Sequence, residues 1–141
     1  MAASSRSTVL QLAAALDSGR TTSRALVDEA LARIADPAGE GRRSFIKVYA
    51  EPARQAADAQ DALRRAGYKA SPLAGLPVSI KDLFDIAGER TLAGSKARDE
   101  APVAARDEAV VARLKAAGAV IVGRTNMTEF AFSGIGINPH Y

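Results

Sequence analysis

A chain of 141 residues is long enough for one domain with a real core; 48% are hydrophobic and 25% charged, but aromatics are only 5% and tryptophan is absent, so that core must come largely from Ala, Val, Leu and Ile. The net charge of +3 is too mild to argue for nucleic acid, and the absence of cysteine excludes disulfides, thiol nucleophiles and cysteine metal sites. A single histidine, His140, excludes a His-based triad or zinc site assembled within the chain.

Residues 1–6 read as a frayed terminus. Ser7 or Thr8 can cap a first helix running through Leu16 to Ser18, with Gly19 as its stop. Gln11 and Asp17 interrupt and bound its apolar run, which argues for an amphipathic helix over a signal-peptide core. No apolar run approaches the length of a transmembrane helix, and the expected location is cytoplasmic. Thr22 or Ser23 can cap a second helix, whose apolar stripe is Leu26, Val27, Ala30, Leu31 and Ile34. Asp36 to Gly41 reads as a loop, and Pro37 ends the helix before it. The pairs Arg42-Arg43 and Arg64-Arg65 lack interleaved aromatics and read as solvated.

Phe45 to Tyr49 suits a short strand, with Phe45, Lys47 and Tyr49 on one side and Ile46 and Val48 on the other. Pro52 suits the first position of a third helix, rich in alanine, which runs to about Ala66 and stops at Gly67. The turn signal Gly75-Leu76-Pro77 then opens a strand from Pro77 to Lys81, with Val78 and Ile80 on one face and Ser79 and Lys81 on the other. A lysine among apolar residues has two readings. Its stem can pack while its ammonium reaches water. Alternatively it is buried, its charged form is disfavoured, and a neutral amine becomes available as a general base.

Residues 86–105 show little periodicity and read as a long functional loop. Asp107 begins a fourth helix with Val110, Val111, Leu114 and Ala117 at helical spacing, and Gly118 stops it. A short buried strand, Ala119 to Val122, follows, so strand, helix and strand imply an α/β layer with parallel pairing. Residues 123–126 then leave the strand for a turn of helix at Met127 to Phe130, with Met127, Phe130 and Phe132 read as core. Asp82 is expected to orient Lys81 or cap a turn. Ser79 and Ser95 are weak nucleophile candidates, since neither sits in a Gly-x-Ser-x-Gly turn. Gly134-x-Gly136 precedes Pro139 rather than a helix and is a poor phosphate signal.

Three stretches carry a more specific signal: Leu73-Ala-Gly-Leu-Pro-Val-Ser-Ile-Lys-Asp82, Asp85-x-x-Gly88-x-x-Thr91-x-x-Gly94-Ser95, and Ala117 to Phe130. In this order they resemble the amidase signature family from about Ser71 to Tyr141. The resemblance implies the N-terminal portion of the amidase signature fold: α/β, a mixed sheet covered by helices, incomplete at the C-terminus. It implies a Ser–cis-Ser–Lys triad in which Lys81 is the lysine, and it sets Phe132 and Ser133 against the substrate cavity. Both serines would come from a glycine- and serine-rich loop beyond Tyr141, so residues 1–141 read as the N-terminal part of one amidase domain, inactive alone. No cofactor or metal is implied. The implied partner is a small-molecule amide, without nucleic acid or membrane; a second chain or a homo-oligomer is a further expectation. Glu89-Arg90 and Glu108 depart from the family pattern and read as surface features.

Within this family the tRNA-dependent amidotransferase, through its A-type chain, is the rival reading. Lys81-Asp-Leu-Phe stands where that branch usually shows Lys-Asp-Asn, and Gly134-Ile-Gly-Ile-Asn replaces a polar Ser-Thr-Glu-Asn segment, which favours a stand-alone amidase. A chain that only scaffolds a partner is the reading from another class.

Overall fold

The computed structural model describes residues 7–141; the terminus read as frayed lies outside the described residues. Helix α1 (Val9–Asp17) begins on a reciprocal capping box, in which Thr8 Oγ1 accepts from the Gln11 amide and the Gln11 side chain accepts from Thr8 N–H. Helix α2 (Ser23–Ala35) is capped by Thr22 and buries Leu26, Val27 and Leu31 of its expected stripe. The loop that follows closes into a one-turn helix, α3 (Gly41–Ser44), which the sequence reading misses. Gly41 packs so tightly on α2 that a Cβ there would lie 1.9 Å from the Ile34 carbonyl oxygen. Strand β1 (Phe45–Val48) leads into α4 (Ala50–Arg65), with Pro52 in its first turn. Strand β2 spans Pro77–Lys81, α5 spans Ala109–Ala116, and β3 spans Val120–Thr125.

The sheet has the order β1-β3-β2. Strand β2 runs parallel to β3, joined to it through α5, and β1 runs antiparallel on the other side. The sheet is therefore mixed, as the family resemblance implies, and helices pack on both of its faces. On one face Val27 and Leu31 of α2, Ala53 and Ala57 of α4, and Val120 and Val122 of β3 form the main core, with Phe45 against it. On the other face Ile80, Ile86 and Val111 pack together with Tyr49, Phe84, Leu114 and Ile121. A small cluster of Leu16, Leu26 and Leu76 ties α1 to the start of β2.

Two irregularities in the ladder change side-chain parity. The β1–β3 register slips between Phe45 and Lys47. Phe45 therefore joins the α2/α4 core, while Lys47 and Tyr49 turn to the opposite face, where both bind Glu89. The expected single face for Phe45, Lys47 and Tyr49 is corrected by this bulge, since one extra residue reverses the alternation beyond it. The second slip lies on the β2–β3 side, between Val78 and Ser79, and puts Gly123 opposite Ser79. Gly123 has no room for a side chain: a Cβ would sit 2.5 Å from the Lys47 carbonyl oxygen and 2.9 Å from the Phe45 ring.

Helices α2 and α4 are joined by a carboxylate. Asp61, buried on α4, accepts from the amides of Ser23 (2.8 Å) and Arg24 (3.0 Å) at the start of α2. It satisfies two of the orphan donors of that helix and places negative charge at the positive end of its dipole. Removing it leaves those amides without a partner in a buried place. Asp61→Ala is expected to cost about 1–3 kcal/mol, and Asp61→Asn less, in urea unfolding. Equal midpoints for Asp61→Ala and the parent protein would remove the capping role.

Candidate active site

Lys81 closes β2, paired in register with Thr125 of the central strand. Its alternation is as expected: Ile80 is buried, while Ser79 and Lys81 share the opposite face. Of the two readings of Lys81, the buried one is not met within this chain: Lys81 is exposed and its Nζ has no polar partner among the described residues. The reason lies in the layering. The α2/α4 core is built on β3, and no residue of β2 enters it. Beyond Leu76 the face of β2 that carries Ser79 and Lys81 is left open, so both reach solvent.

The next residue behaves in the opposite way. Asp82 is 1% exposed, and its carboxylate turns from Lys81 to Arg124, which is 2% exposed. Arg124 donates from Nε (3.1 Å) and Nη2 (2.7 Å) to Asp82 Oδ1, while Oδ2 accepts from the Gly94 amide at 3.2 Å. The Asp82 backbone is held as well: its N–H donates to Thr125 O, and its carbonyl accepts from Ala93 N–H. The Asp82 carboxylate is therefore spent on Arg124 and on the distant Gly94 amide, and no hydrogen bond joins it to Lys81. Strand β3 runs three residues beyond the expected Val122, and that extension is what carries Arg124 to the carboxylate.

Arg124 spends its remaining donors locally. Nη2 reaches the Phe84 carbonyl at 3.1 Å, and Nη1 lies 3.4 Å from Glu89 Oε2. Glu89 in turn accepts from Lys47 Nζ (2.6 Å) and the Tyr49 hydroxyl (2.7 Å). It is a half-buried junction of the site, not the surface departure that the sequence suggests. Burial works to raise the Glu89 pKa, but hydrogen bonds from Lys47 and Tyr49, with the charges of Lys47 and Arg124, hold it below its ordinary value. Burial, with the Glu89 carboxylate beside it, pushes the Tyr49 phenol well above its usual range, so Tyr49 stays a donor.

Because the folded-state pKa of Glu89 is depressed, its stabilising contribution is complete above its ordinary value of 4.5 and is lost as pH falls through the folded value. Urea midpoints taken from pH 7 down to pH 3 are expected to fall less steeply in Glu89→Gln than in the parent protein. Parallel curves would exclude Glu89 as a source of acid sensitivity.

A cleft of about 680 Å³ opens beside this network, lined by Arg42, Lys47, Asp82, Glu89, Arg90 and Arg124 among others. Lys81, Phe132 and Ser133 lie outside its lining. Phe132 is 92% exposed, and Phe130 is also exposed, so of the three expected core residues only Met127 is buried. The expected helical turn at 127–130 is displaced to a 3-10 turn at Glu129–Ala131, where Phe130 and Ala131 take positive φ. Ser133 Oγ donates to the Ile135 carbonyl at 2.6 Å, closing a local turn. Ser95 is fully buried and donates to Glu129 Oε1 at 2.5 Å, and Ser79 is exposed on β2. Among the described residues no group of three or more His, Cys, Asp or Glu is arranged to hold a metal ion, and no helix is long and apolar enough to cross a membrane.

A β-α-β unit with an antiparallel strand added, and a lysine at the tip of its edge strand before a buried Asp–Arg pair, defines an α/β protein. The chain belongs to the amidase family, whose model matches residues 25–141. It is 49% identical over 125 residues to AtzE of Pseudomonas sp. (strain ADP), a 1-carboxybiuret hydrolase subunit, covering 88% of this chain and 27% of that protein. It is 45% identical over 134 residues to the A-type chain of the glutamyl-tRNA(Gln) amidotransferase of Chromohalobacter salexigens, covering 95% of this chain and 27% of that one. Among solved structures, an inhibitor-bound vestigial protein complex of an s-triazine catabolic enzyme superimposes with a TM-score of 0.86 at 45% identity, over 96% of this chain and 29% of the other. The peptide amidase PAM with the competitive inhibitor chymostatin gives a TM-score of 0.78 at 34% identity, over 89% of this chain and 26% of the other. The chain thus spans about 27% of the length of these curated relatives.

Proposed function

We propose that this chain is the lysine-bearing, N-terminal part of a single amidase domain that hydrolyses the carbon–nitrogen bond of a small carboxamide to an acid and ammonia or an amine. Lys81 is the general base. Its neutral amine takes a proton from a cis-serine, which deprotonates a nucleophilic serine; the nucleophile attacks the amide carbonyl while backbone N–H groups hold the oxyanion. The lysine ammonium returns that proton through the cis-serine to the leaving nitrogen, the C–N bond breaks to leave an acyl-serine ester, and water, deprotonated by the same relay, cleaves the ester to the acid and restores the serine. Both serines belong to the serine-bearing remainder of the enzyme, and that remainder covers the open face of β2 and dries the amine. Phe132 and Ser133 contribute to the substrate cavity from the other end of the chain.

One observation carries this reading. The family match over residues 25–141 includes the strand that ends at Lys81, and that strand presents its lysine on an uncovered sheet face with the backbone pinned behind it. The same relatives support a second reading. One belongs to a hydrolase and another to an amidotransferase, each as one chain of a larger enzyme, so a partner chain, or action on a tRNA-borne carboxamide, fits the same site. Turnover of a panel of small amides by the complete protein, with and without misacylated tRNA, separates these. Release of ammonia or an amine from free amides alone supports the first reading; turnover that requires the tRNA supports the second. No turnover under either condition overturns both.

A further inference from the structure

We propose that Arg124 is a positioning residue for Lys81: by pairing with Asp82 it cancels the carboxylate next to the base and fixes the strand end from which the amine projects. The inference rests on the reading of Lys81 as general base. A lysine followed directly by an aspartate is a poor start for a neutral amine, because a nearby carboxylate favours the ammonium. The fold answers this twice. Strand alternation sends the two side chains to opposite faces, and Arg124 meets the carboxylate with two donors on one oxygen. The wider cluster is balanced: Asp82 and Glu89 face Arg124 and Lys47, so two negative charges meet two positive ones. A buried ion pair is a weak source of stability beside an apolar pair of similar volume. Charge matching gives a reason for keeping both groups dry at this position.

The remaining charges on elements packed against β2 do not compete for this role. On α2, Arg24 pairs with Asp28 and Asp58, and Arg33 pairs with Glu29. On the α5 side, Lys115 pairs with Asp107, Glu108 caps its own helix and Arg113 is exposed. Asp85, in the turn after Lys81, is exposed and accepts the Thr91 hydroxyl. Asp82 is the carboxylate adjacent to the base, and Arg124 is the cation that meets it.

The test is the pH profile of kcat/KM in the complete enzyme, whose acid limb reports the base of the free enzyme. Arg124→Gln leaves Asp82 unmatched beside the base, which favours the ammonium, and is expected to move the acid limb up by about one pH unit, a tenfold loss on that limb that is regained at higher pH. Asp82→Asn leaves an unmatched cation and is expected to move the limb down. The double variant returns it toward the parent position. Limbs that stay fixed in both single variants, with activity following only the amount of folded protein, overturn the proposal and leave Arg124 a structural residue. If Arg124→Gln does not fold, Asp82→Asn decides alone: a downward shift supports charge matching, and no shift or an upward one overturns it. Lys81→Ala is run beside them. Near-normal turnover in that variant removes the base itself and the inference with it, whereas an inactive Lys81→Ala with unmoved limbs removes only the role of Arg124.

Discussion

If Lys81 is the general base proposed above, Lys81→Ala in the complete protein is expected to lower kcat/KM by about a thousandfold or more, within the range that a general base or triad member supplies. The protein should fold as before. Lys81 Nζ has no polar partner among the described residues and the side chain is exposed, so its removal here breaks no contact. Exposed substitutions of this kind usually stay within about 0.5 kcal/mol. Lys81→Arg sharpens the result. Arginine keeps a long cationic side chain but cannot release its proton near neutral pH, so it serves as a charge and not as a base. Both variants should therefore be nearly inactive while residues 7–141 keep their fold. Substantial turnover by Lys81→Arg would mean that the site needs only positive charge at the end of β2, and the proton relay would fall.

The second large effect is on stability. Arg124→Met is expected to cost about 3–5 kcal/mol, because it leaves the buried carboxylate of Asp82 without its counter-charge. Against a typical total of about 5–15 kcal/mol, that is enough to unfold much of the protein at modest urea. Asp82 is 1% exposed, so water cannot replace the lost donors without opening the site. The double variant Asp82→Leu/Arg124→Met should recover a large part of the loss, since an apolar pair has no charge to desolvate. Urea midpoints of the three variants check this. A single variant as stable as the parent would show that Asp82 does not need the guanidinium, its existing bond from the Gly94 amide at 3.2 Å being enough to hold it. If the double variant is as stable as the parent yet poorly active, the pair serves catalysis rather than folding.

What could be read along the chain were features whose cause is local. Thr8 and Thr22 are caps because a side-chain oxygen reaches an amide three residues on, and both act so. The stripe of α2 is legible because burial repeats at the helical period, and the strand at Pro77–Lys81 because a turn signal precedes a short apolar run. The ordered motifs were enough to mark the family. Where the reading failed, the cause lay in pairings between distant segments. Asp61 caps a helix 38 residues away, and Arg124 meets Asp82 across 42 residues. Nothing in the neighbourhood of either residue announces its partner.

The order of the strands and longer helices, the ends of most of those helices and the presence of a lysine where a strand runs out follow from the amino-acid sequence by itself, because the forces that set them act within one turn or one pleat. Only the tertiary structure decided which face each strand residue occupies past a bulge, since one slipped residue reverses everything beyond it. It also decided that Asp82 and Glu89 belong to one buried charge network, and that Lys81 stands uncovered. Whether an amine is wet or dry depends on what lies across the sheet face from it, and the core that α2 and α4 build on β3 stops short of that position.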